Sequence, residues 1–402
     1  MKVLYIAYSC SPIAGSEDRV GWNVSVAMAK IHPVHVITKI EHKKDIEYYL
    51  RRNPINNIMF HYVDIPNLYK RLFKGFLYSG RLNVWHKQAF VIAENICNKF
   101  DIDIIHQITP IELRAIGDYG RIKNIKYVCG PLGGGEYVPN GLKCYKRGHY
   151  TVEILRDIMN RWYRFWFNVT GRLKRCDYFI YANEETKYYL GCGNHVETEI
   201  AVDSICYKKE NTLKNKCVFL MAGRMIYRKG LDFLFDAIEE IPEDKRYEVR
   251  IIGDGPEMQK LKKRWDRSKK LQEHVIFVGR IPFTEMKNEY DKADVFLMPS
   301  IRETTGSVLL EAMSNGIPII AINRFGSGLL LNEDLGWTFD GNTKEEFITS
   351  FVNSMVDCIE HPEKVRRKGK NMLLAAKEYT WDIKARHYDE IYKKLLSRGF
   401  SK

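Results

Sequence analysis

The fold is decided by a stretch that reads Ala293-Asp-Val-Phe-Leu-Met-Pro-Ser-Ile-Arg-Glu-Thr-Thr-Gly-Ser-Val-Leu-Leu-Glu-Ala-Met-Ser-Asn-Gly316. Its apolar first part predicts a buried strand, and the Thr and Ser residues that follow are good N-caps for a helix. Asn315-Gly316, with Pro318 just beyond, predicts the end of that helix before a second strand at Ile319–Ile322. Where a strand runs into a helix rich in small residues, free backbone N–H groups and the positive end of the helix dipole favour a phosphate.

Two glutamates, Glu303 and Glu311, lie on either side of the predicted helix start at Thr305, Gly306 and Ser307. Carboxylates repel a diphosphate placed beside them, so we expect these two to accept hydrogen bonds from hydroxyl groups that flank it. The stretch therefore predicts a binding site for a compound in which a diphosphate joins a sugar to a ribose.

A second segment, Val218-Phe-Leu-Met-Ala-Gly-Arg-Met-Ile-Tyr-Arg-Lys-Gly230, predicts another passage from strand to helix upstream. We expect the strand to end at Gly223 and the helix to begin near Gly230, which leaves Arg224 and Lys229 on the loop between them. A diphosphate leaving group gains negative charge as its bond to the sugar breaks, and fixed cations at the carboxyl end of a parallel strand stabilise that charge. Arg offers a bidentate fork and Lys a compact charge for this purpose.

Together with Ile251-Ile-Gly-Asp-Gly-Pro-Glu257 and Val278-Gly-Arg280, these segments resemble the C-terminal half of the GT4 family of retaining, nucleotide-sugar-dependent glycosyltransferases. Bacterial capsular and exopolysaccharide glycosyltransferases are the subgroup that the chain resembles. The match in order and spacing covers about residues 215–345, and four motifs in register are far more specific than any one of them. The resemblance implies the GT-B fold, an α/β architecture in which two Rossmann-like, doubly wound domains face each other across a cleft.

Strand and helix patterns alternate along the whole chain, which predicts two mostly parallel sheets. The strands predicted in the first half are Val3–Ala7, Val34–Ile40, Ile58–Val63, Ile102–His106, Lys126–Cys129 and Asp177–Ala182. A polar, lysine-rich stretch up to Lys216 predicts the linker, so we expect an acceptor-binding domain at 1–202 and a donor-binding domain at 203–378. The resemblance implies that the remaining residues, 379–402, form a C-terminal helix that crosses back to the first domain.

The resemblance also implies functional loops in the N-terminal half. In the first loop, Gly15 and Ser16 would offer backbone N–H groups to the diphosphate, and a tight turn that caps a helix is the alternative. In the second, three glycines after a strand indicate that a ligand or another backbone segment approaches closely, with a flexible hinge as the alternative. Its candidates for the acceptor or sugar site are Gly133, Gly134, Gly135 and Glu136. His106, at the end of its predicted strand, is a further candidate, with a structural histidine as the alternative.

The composition is typical of a globular enzyme with two domains, at 402 residues and 45% hydrophobic residues. No apolar stretch is long enough to cross a bilayer, and Met1–Tyr8 predicts a first strand in place of a signal peptide. The nine cysteines have no paired spacing, which favours reduced thiols in a cytoplasm. No Cys/His cluster has the spacing of a metal site, so we expect neither a metal nor a cofactor.

The net charge of +13 is concentrated in segments that mix basic and aromatic residues. Residues 143–175 contain nine Lys or Arg against two acids, and residues 69–78 have the same character. Such helices favour contact with anionic lipid headgroups, which would place the protein at the inner face of the plasma membrane. A core-facing aromatic stripe with a solvated basic face is the alternative, and nucleic acid is disfavoured because the chain shows no recognised binding module.

The resemblance and these residues predict a retaining transfer of a hexose from a UDP- or GDP-sugar to a saccharide or lipid-linked oligosaccharide in surface polysaccharide biosynthesis. Arg224 and Lys229 would stabilise the leaving diphosphate, and Glu303 would orient the sugar. The predicted donor-binding residues are Gly223, Arg280, Ile281, Thr305, Gly306, Ser307 and Glu311, with Glu311 on the ribose and the Gly279–Ile281 loop at the base. The alternatives are a nucleotide-sugar epimerase of the same fold and a non-catalytic relative that binds membranes or nucleic acid.

Overall fold

The computed structural model describes residues 1–15, 17–73, 75–206 and 216–397. The chain forms two compact units, each with its own sheet. Unit 1 contains Met1–Gly135, Thr151–Ala201 and the C-terminal segment from Trp381, and unit 2 contains Glu136–Tyr150 and Val202–Thr380. The chain therefore passes between the units at four places, after residues 135, 150, 201 and 380.

Unit 1 is built on a sheet of seven parallel strands. These are β1 Val3–Ala7, β2 Val34–Lys39, β3 Ile58–Val63, β4 Ile104–Thr109, β5 Lys126–Leu132, β6 Tyr178–Tyr181 and β7 His195–Val196. Their order across the sheet is β3-β2-β1-β4-β5-β6-β7. The central strands β1, β4 and β5 are buried along their whole length, as expected for a parallel sheet covered on both faces.

The helices of unit 1 include a C-terminal helix that is far from the others in sequence. They are α1 Glu17–Ala29, α2 Lys43–Arg52, α3 Asn67–Leu72, α4 Tyr78–Phe100, α5 Tyr150–Val169, α6 Glu184–Leu190 and the C-terminal helix Trp381–Ser397. The C-terminal helix packs against α1 and buries Tyr388 and Tyr392 completely. Its buried Lys384 pairs with Glu197 at 2.8 Å and donates to the carbonyl oxygen of Thr198. Apolar burial and an ion pair therefore both attach this helix to unit 1.

Unit 2 is built on a sheet of six parallel strands. These are β8 Cys217–Ala222, β9 Tyr247–Ile252, β10 Val275–Gly279, β11 Val295–Met298, β12 Ile319–Ile322 and β13 Gly336–Phe339, in the order β10-β9-β8-β11-β12-β13. The helices are α7 Leu231–Glu240, α8 Met258–Trp265, α9 Lys269–His274, α10 Met286–Lys292, α11 Ser307–Ser314, α12 Phe325–Leu330, α13 Lys344–Glu360 and α14 Pro362–Ala376. Two doubly wound parallel sheets confirm the predicted α/β, Rossmann-like fold class.

The structure differs from the predicted domain division in the segment 136–150, which belongs to unit 2. Val138, Leu142 and Tyr145 lie in the hydrophobic core of that unit. The hydroxyl of Tyr145 also donates a hydrogen bond to Asp236 at 2.7 Å. A local sequence pattern predicts a helix or strand but not the sheet against which it packs. The sequence therefore does not predict that residues 136–150 belong to unit 2.

Two strands of unit 1 run further than the sequence predicts. β4 continues through Gln107, Ile108 and Thr109, and β5 continues to Leu132. His106 therefore lies inside a strand, and its predicted place at a strand end is wrong. Most of the predicted linker, 207–215, lies outside the described residues.

Candidate functional site in unit 2

The loops that follow β8, β9 and β11 meet at the carboxyl edge of the unit 2 sheet. The N–H of Met225 donates to the carbonyl oxygen of Asp254 at 3.0 Å, which joins the first two loops. The N–H of Ile301 donates to the carbonyl oxygen of Arg228 at 2.9 Å, which joins the first and the third. The side chains on these loops are therefore held together at the edge where open α/β sheets bind their ligands.

Two glycines allow these loops to approach one another closely. A Cβ atom on Gly253 would lie 1.9 Å from the carbonyl oxygen of Gly223, and one on Gly230 would lie 2.0 Å from that of Pro299. Gly230 also has a φ of +70°. Any other residue would push the loops apart, so the packing at this edge requires glycine at both positions.

Lys229 and Glu303 form an ion pair that links the loop after β8 to the loop after β11. Both side chains are largely buried, with exposed fractions of 16% and 15%. Burial alone would raise the pKa of the Glu303 carboxyl, but the positive charges of Lys229 and Arg228 hold that pKa below its usual range. Glu303 is therefore an ionised hydrogen-bond acceptor at neutral pH.

Arg224 lies on the same loop as Lys229, and its side chain is exposed. Among the described residues, no carboxylate or hydrogen-bond acceptor pairs with its guanidinium group. The site thus presents Lys229, whose charge Glu303 neutralises, and Arg224, whose charge is available to a ligand.

Helix α11 begins at Ser307 with Gly306 as its N-cap residue. Gly306 has a φ of +86°, and a Cβ atom there would lie 2.9 Å from the side chain of Met298, so the turn requires glycine. The prediction of a Thr or Ser cap is wrong, because the glycine cap contributes no side-chain hydrogen bond. Thr305 is fully buried against Gly326, where it shapes the turn from within.

Glu311 lies one turn into α11 and accepts a hydrogen bond from the hydroxyl of Tyr290 at 2.9 Å. Tyr290 is only 3% exposed. Its burial, together with the neighbouring charge of Glu311, raises the pKa of its hydroxyl well above the usual value, so it remains a donor. Sequence reasoning missed Tyr290, for which the sole signal is one aromatic residue in the otherwise polar second half of α10.

The loop after β10 reaches the same edge of the sheet. The N–H of Gly253 donates to the carbonyl oxygen of Gly279 at 2.9 Å. Arg280, the next residue, is exposed, and Ile281 is half-buried. The predicted base-binding residues therefore follow β10, which β9 separates from β8, the strand before the cationic loop.

In unit 1, one of the two candidate diphosphate-binding residues before α1 lies outside the described residues. Gly15 is exposed, and Ser16 is not among the described residues. Glu17 accepts a hydrogen bond from the N–H of Ile111 at 2.8 Å, and burial raises the pKa of its carboxyl to about 7. Glu17 thus ties the start of α1 to the loop after β4.

The glycines at 133–135 are packed against helices of unit 1. The carbonyl oxygen of Gly134 accepts a hydrogen bond from Arg156 in α5 at 2.5 Å. A Cβ atom on Gly135 would lie 2.7 Å from the Cα atom of Thr186 in α6. The close approach that these glycines predict is therefore made by the chain's own helices.

Two further candidates are buried. His106 is fully buried, with Nδ1 2.6 Å from the hydroxyl of Tyr392 and Nε2 2.7 Å from the carbonyl oxygen of Gly130. Burial lowers the pKa of this histidine to about 4. Both ring nitrogens are used within unit 1, which favours the structural reading of His106. Glu136 is 3% exposed and begins the segment that belongs to unit 2.

Two kinds of feature are absent from the residues that the structure describes. Within those ranges, no group of three or more His, Cys, Asp or Glu side chains could hold a metal ion. In the same part of the chain, no helix is long and apolar enough to cross a membrane.

The part of the chain that carries these cations and carboxylates is similar to one class of enzymes, the glycosyltransferases. Residues 206–372 match the family model for glycosyl transferases group 1. This segment is about two fifths of the chain, and it contains Arg224, Lys229, Glu303 and Glu311.

Three of the curated relatives match between about a third and nine tenths of the chain. The sulfoquinovosyl transferase of Arabidopsis thaliana is 32% identical over 35% of the chain and 27% of that protein. An alpha-monoglucosyldiacylglycerol synthase of Acholeplasma laidlawii is 26% identical over 46% of the chain and 45% of that protein. The uncharacterized glycosyltransferase MJ1178 of Methanocaldococcus jannaschii is 22% identical over 90% of the chain and 94% of that protein. The match thus spans less than half the length of the first two proteins and nearly all of the third.

Solved structures extend the similarity to the whole fold. The lipopolysaccharide outer core galactosyltransferase WaaB aligns with a TM-score of 0.66 and 17% identity, over 98% of this chain and 100% of that one. The Anabaena protein Alr3699/HepE in complex with UDP-glucose aligns with a TM-score of 0.63 and 16% identity, over 99% and 100%. At such low identities the similarity shows the fold alone, which is GT-B.

Proposed function

We propose that this chain transfers a hexose from a nucleoside-diphosphate sugar to a saccharide or lipid-linked acceptor, with retention of configuration at the sugar. The observation that carries the proposal is the edge of the unit 2 sheet, where exposed Arg224 and the ion pair of Lys229 and Glu303 lie on neighbouring loops. Among the similar proteins, the Anabaena structure contains UDP-glucose, and an Escherichia coli relative is named a UDP-Gal-dependent galactosyltransferase.

The donor diphosphate would lie at the start of α11, where backbone N–H groups and the helix dipole favour an anion. Arg224 and Lys229 would stabilise the charge that grows on the diphosphate as the bond between the sugar and its oxygen breaks. Glu303 would accept hydrogen bonds from sugar hydroxyls, and Glu311 would hold the ribose. The acceptor oxygen forms the new bond to the sugar, and its proton passes to the departing phosphate, so no separate base is needed.

A thermal-shift screen with UDP, GDP, ADP and their sugar conjugates tests the donor site. A ligand that binds the native state alone stabilises it by about 2.7 kcal/mol at a hundredfold excess over Kd. We expect one nucleotide to raise the unfolding temperature of the wild type, and we expect Arg224→Ala and Glu311→Ala to abolish that shift. A chain that responds to no nucleotide, or whose variants respond as the wild type does, would contradict the proposal.

We also propose that the acceptor is met at an anionic membrane surface, because α5 turns an apolar face outward. Five of its apolar residues are more than half exposed, namely Ile154, Ile158, Trp162, Phe165 and Val169. At 3.6 residues per turn these side chains form one stripe, and Glu153, Asn160 and Phe167 are buried on the opposite side. Arg161 and Arg164 lie in the same helix and suit anionic headgroups.

Of the two segments predicted to bind the membrane, the first does not form a continuous exposed surface. Tyr145 and Phe167 are buried, so residues 143–175 do not form one surface. In the second segment, Leu72 and Leu77 are exposed, and Lys74 is not among the described residues.

Sedimentation with vesicles tests the membrane proposal. We expect the protein to pellet with phosphatidylcholine vesicles that contain phosphatidylglycerol, and much less with pure phosphatidylcholine. Trp162→Glu with Phe165→Glu should abolish pelleting, while Tyr188→Glu, at an exposed aromatic residue of α6, should not. Equal pelleting of all variants would rule out the α5 stripe as the contact.

Two other functions remain as alternatives, and product analysis separates them. An epimerase of the same fold would convert the nucleotide sugar without any acceptor, whereas a transferase needs one. A non-catalytic relative would bind without turnover, although it would have no use for all four of Arg224, Lys229, Glu303 and Glu311.

A further inference from the structure

The segment 136–150 is anchored in unit 2 by its first part. Leu142 and Tyr145 lie in the core of the unit, and a Cβ atom on Gly141 would lie 2.7 Å from the carbonyl group of Thr343. The first part of the segment is therefore packed tightly into unit 2.

At its far end, His149 contacts the loop that carries the cations. Its imidazole stacks on the ring of Tyr227, with centroids 4.2 Å apart and planes within 13° of each other. Its Nε2 also lies 3.1 Å from Oε1 of Glu257. Tyr227 begins the short 3-10 turn that ends with Lys229, and the N–H of Glu257 donates to the carbonyl oxygen of Met225 at 3.1 Å. Both partners of His149 thus belong to, or are bonded to, the loop 224–229.

Tyr227 extends this arrangement to the second functional loop. Its hydroxyl accepts a hydrogen bond from Nη2 of Arg302 at 3.2 Å. Arg302 directly precedes Glu303, the ion-pair partner of Lys229. His149 is therefore connected through Tyr227 to Arg302, the residue before Glu303, and to the short turn that ends with Lys229.

We propose that His149 is a positioning residue for the donor, whose stack on Tyr227 holds the loop 224–229 so that Arg224 and Lys229 meet the diphosphate. The inference rests on the proposed function and adds to it a residue outside 206–372, the part of the chain that matches the family. His149 need not touch the ligand. A loop that is already ordered loses less conformational entropy when the ligand binds, so the stack raises affinity.

Amide hydrogen exchange of the full-length, ligand-free protein tests the effect on the loop directly. We expect faster exchange over 224–229 in His149→Ala, and exchange close to that of the wild type in His149→Phe. Phenylalanine retains the ring stack and loses only the contact with Glu257, so it should rescue the loop. Unfolding temperatures of both variants show that the fold is kept. Unchanged exchange in His149→Ala would overturn the inference, whatever the function of the site.

Calorimetric titration with UDP and with GDP then tests the consequence for binding. For the nucleotide that binds the wild type, we expect His149→Ala to raise Kd about three- to tenfold and His149→Phe to restore it. Lys229→Met, which removes a proposed ligand contact, serves as the positive control. An unchanged Kd in His149→Ala beside a raised Kd in Lys229→Met would overturn the positioning role alone. Failure of the wild type to bind either nucleotide would overturn the proposed function and, with it, the role of His149 in donor binding.

Discussion

Lys229 and Glu303 neutralise each other in the structure, so the proposed donor would have to replace their ion pair with contacts of its own. In the proposed reaction, the diphosphate would attract Lys229 and thereby free the oxygens of Glu303 to accept hydrogen bonds from sugar hydroxyls. The two residues would exchange partners together, so the sugar and the diphosphate of one donor are recognised jointly.

Glu303→Gln should separate these two contributions. The variant removes the carboxylate that competes for Lys229, so a bare nucleoside diphosphate should bind at least as tightly as it binds the wild type. The sugar conjugate should lose about tenfold in relative affinity, because hydrogen bonds to a charged acceptor are stronger than those to an amide. Calorimetric titration of both ligands measures the ratio, and an unaltered ratio would show that Glu303 does not contact the sugar.

Tyr290→Phe should weaken donor binding with little change in the chemical step. The Tyr290 hydroxyl orients the carboxylate of Glu311, and its loss costs about 1 kcal/mol for a hydrogen bond of this kind. We therefore expect the donor KM to rise about fivefold at a similar kcat. Tyr247→Phe is a suitable control, because no partner among the described residues bonds that hydroxyl. A large fall in kcat would instead place Tyr290 in the reaction itself.

At the scale of elements, the buried ion pair between Lys384 and Glu197 is one of the contacts that attach the C-terminal helix to unit 1. Burial alone would raise the pKa of Glu197, but the charge of Lys384 and hydrogen bonds lower it to about 2. At pH values above the unfolded-state pKa of about 4.3, this lowered pKa contributes about 3 kcal/mol to the free energy of unfolding. The contribution is lost as the pH falls from about 4.3 through about 2.

Lys384→Met should lower the free energy of unfolding by about 3–5 kcal/mol at pH 7, because it leaves the carboxylate of Glu197 without its main partner. The variant should also show a weaker loss of stability between about pH 5 and pH 2 than the wild type. Lys30→Met removes an exposed ion pair with Asp382 in the same unit and should cost less than about 1 kcal/mol. Urea unfolding at several pH values measures both effects, and equal losses for the two variants would refute this account.

The elements also show what the sequence can and cannot predict. Strands such as β1 and β3 have the bounds that their apolar runs predict, because those runs end in polar or glycine-rich turns. The predicted β4 ends too early, because Gln107 and Thr109 interrupt its apolar run, although both side chains are buried in unit 1. The site motifs at Lys229 and Glu303 are local and could be read directly, whereas Tyr290 and His149 reach the site from distant elements, which no local pattern predicts.

At the scale of the whole molecule, the charge of the site bears on whether a metal is needed. The loop after β8 supplies its own cations, so we predict that the proposed transfer proceeds without a metal ion. Activity should therefore be unchanged after dialysis against EDTA and should not respond to added Mg²⁺ or Mn²⁺. A loss of turnover that either ion restores would show that a bound metal stabilises the diphosphate.

The four passages of the chain between units have a consequence for a protein cut in two. A protease site inserted between residues 206 and 216 would yield an N-terminal piece that holds 136–150 of unit 2 and a C-terminal piece that holds the last helix of unit 1. Each piece would contain a segment that packs into the unit formed mainly by the other piece. We therefore expect the two pieces to co-elute after cleavage and to reassemble when they are expressed separately. Size-exclusion chromatography measures this directly, and a pair that separates cleanly would mean that the lent segments contribute little. If the pair holds, the protein is a natural starting point for a split reporter.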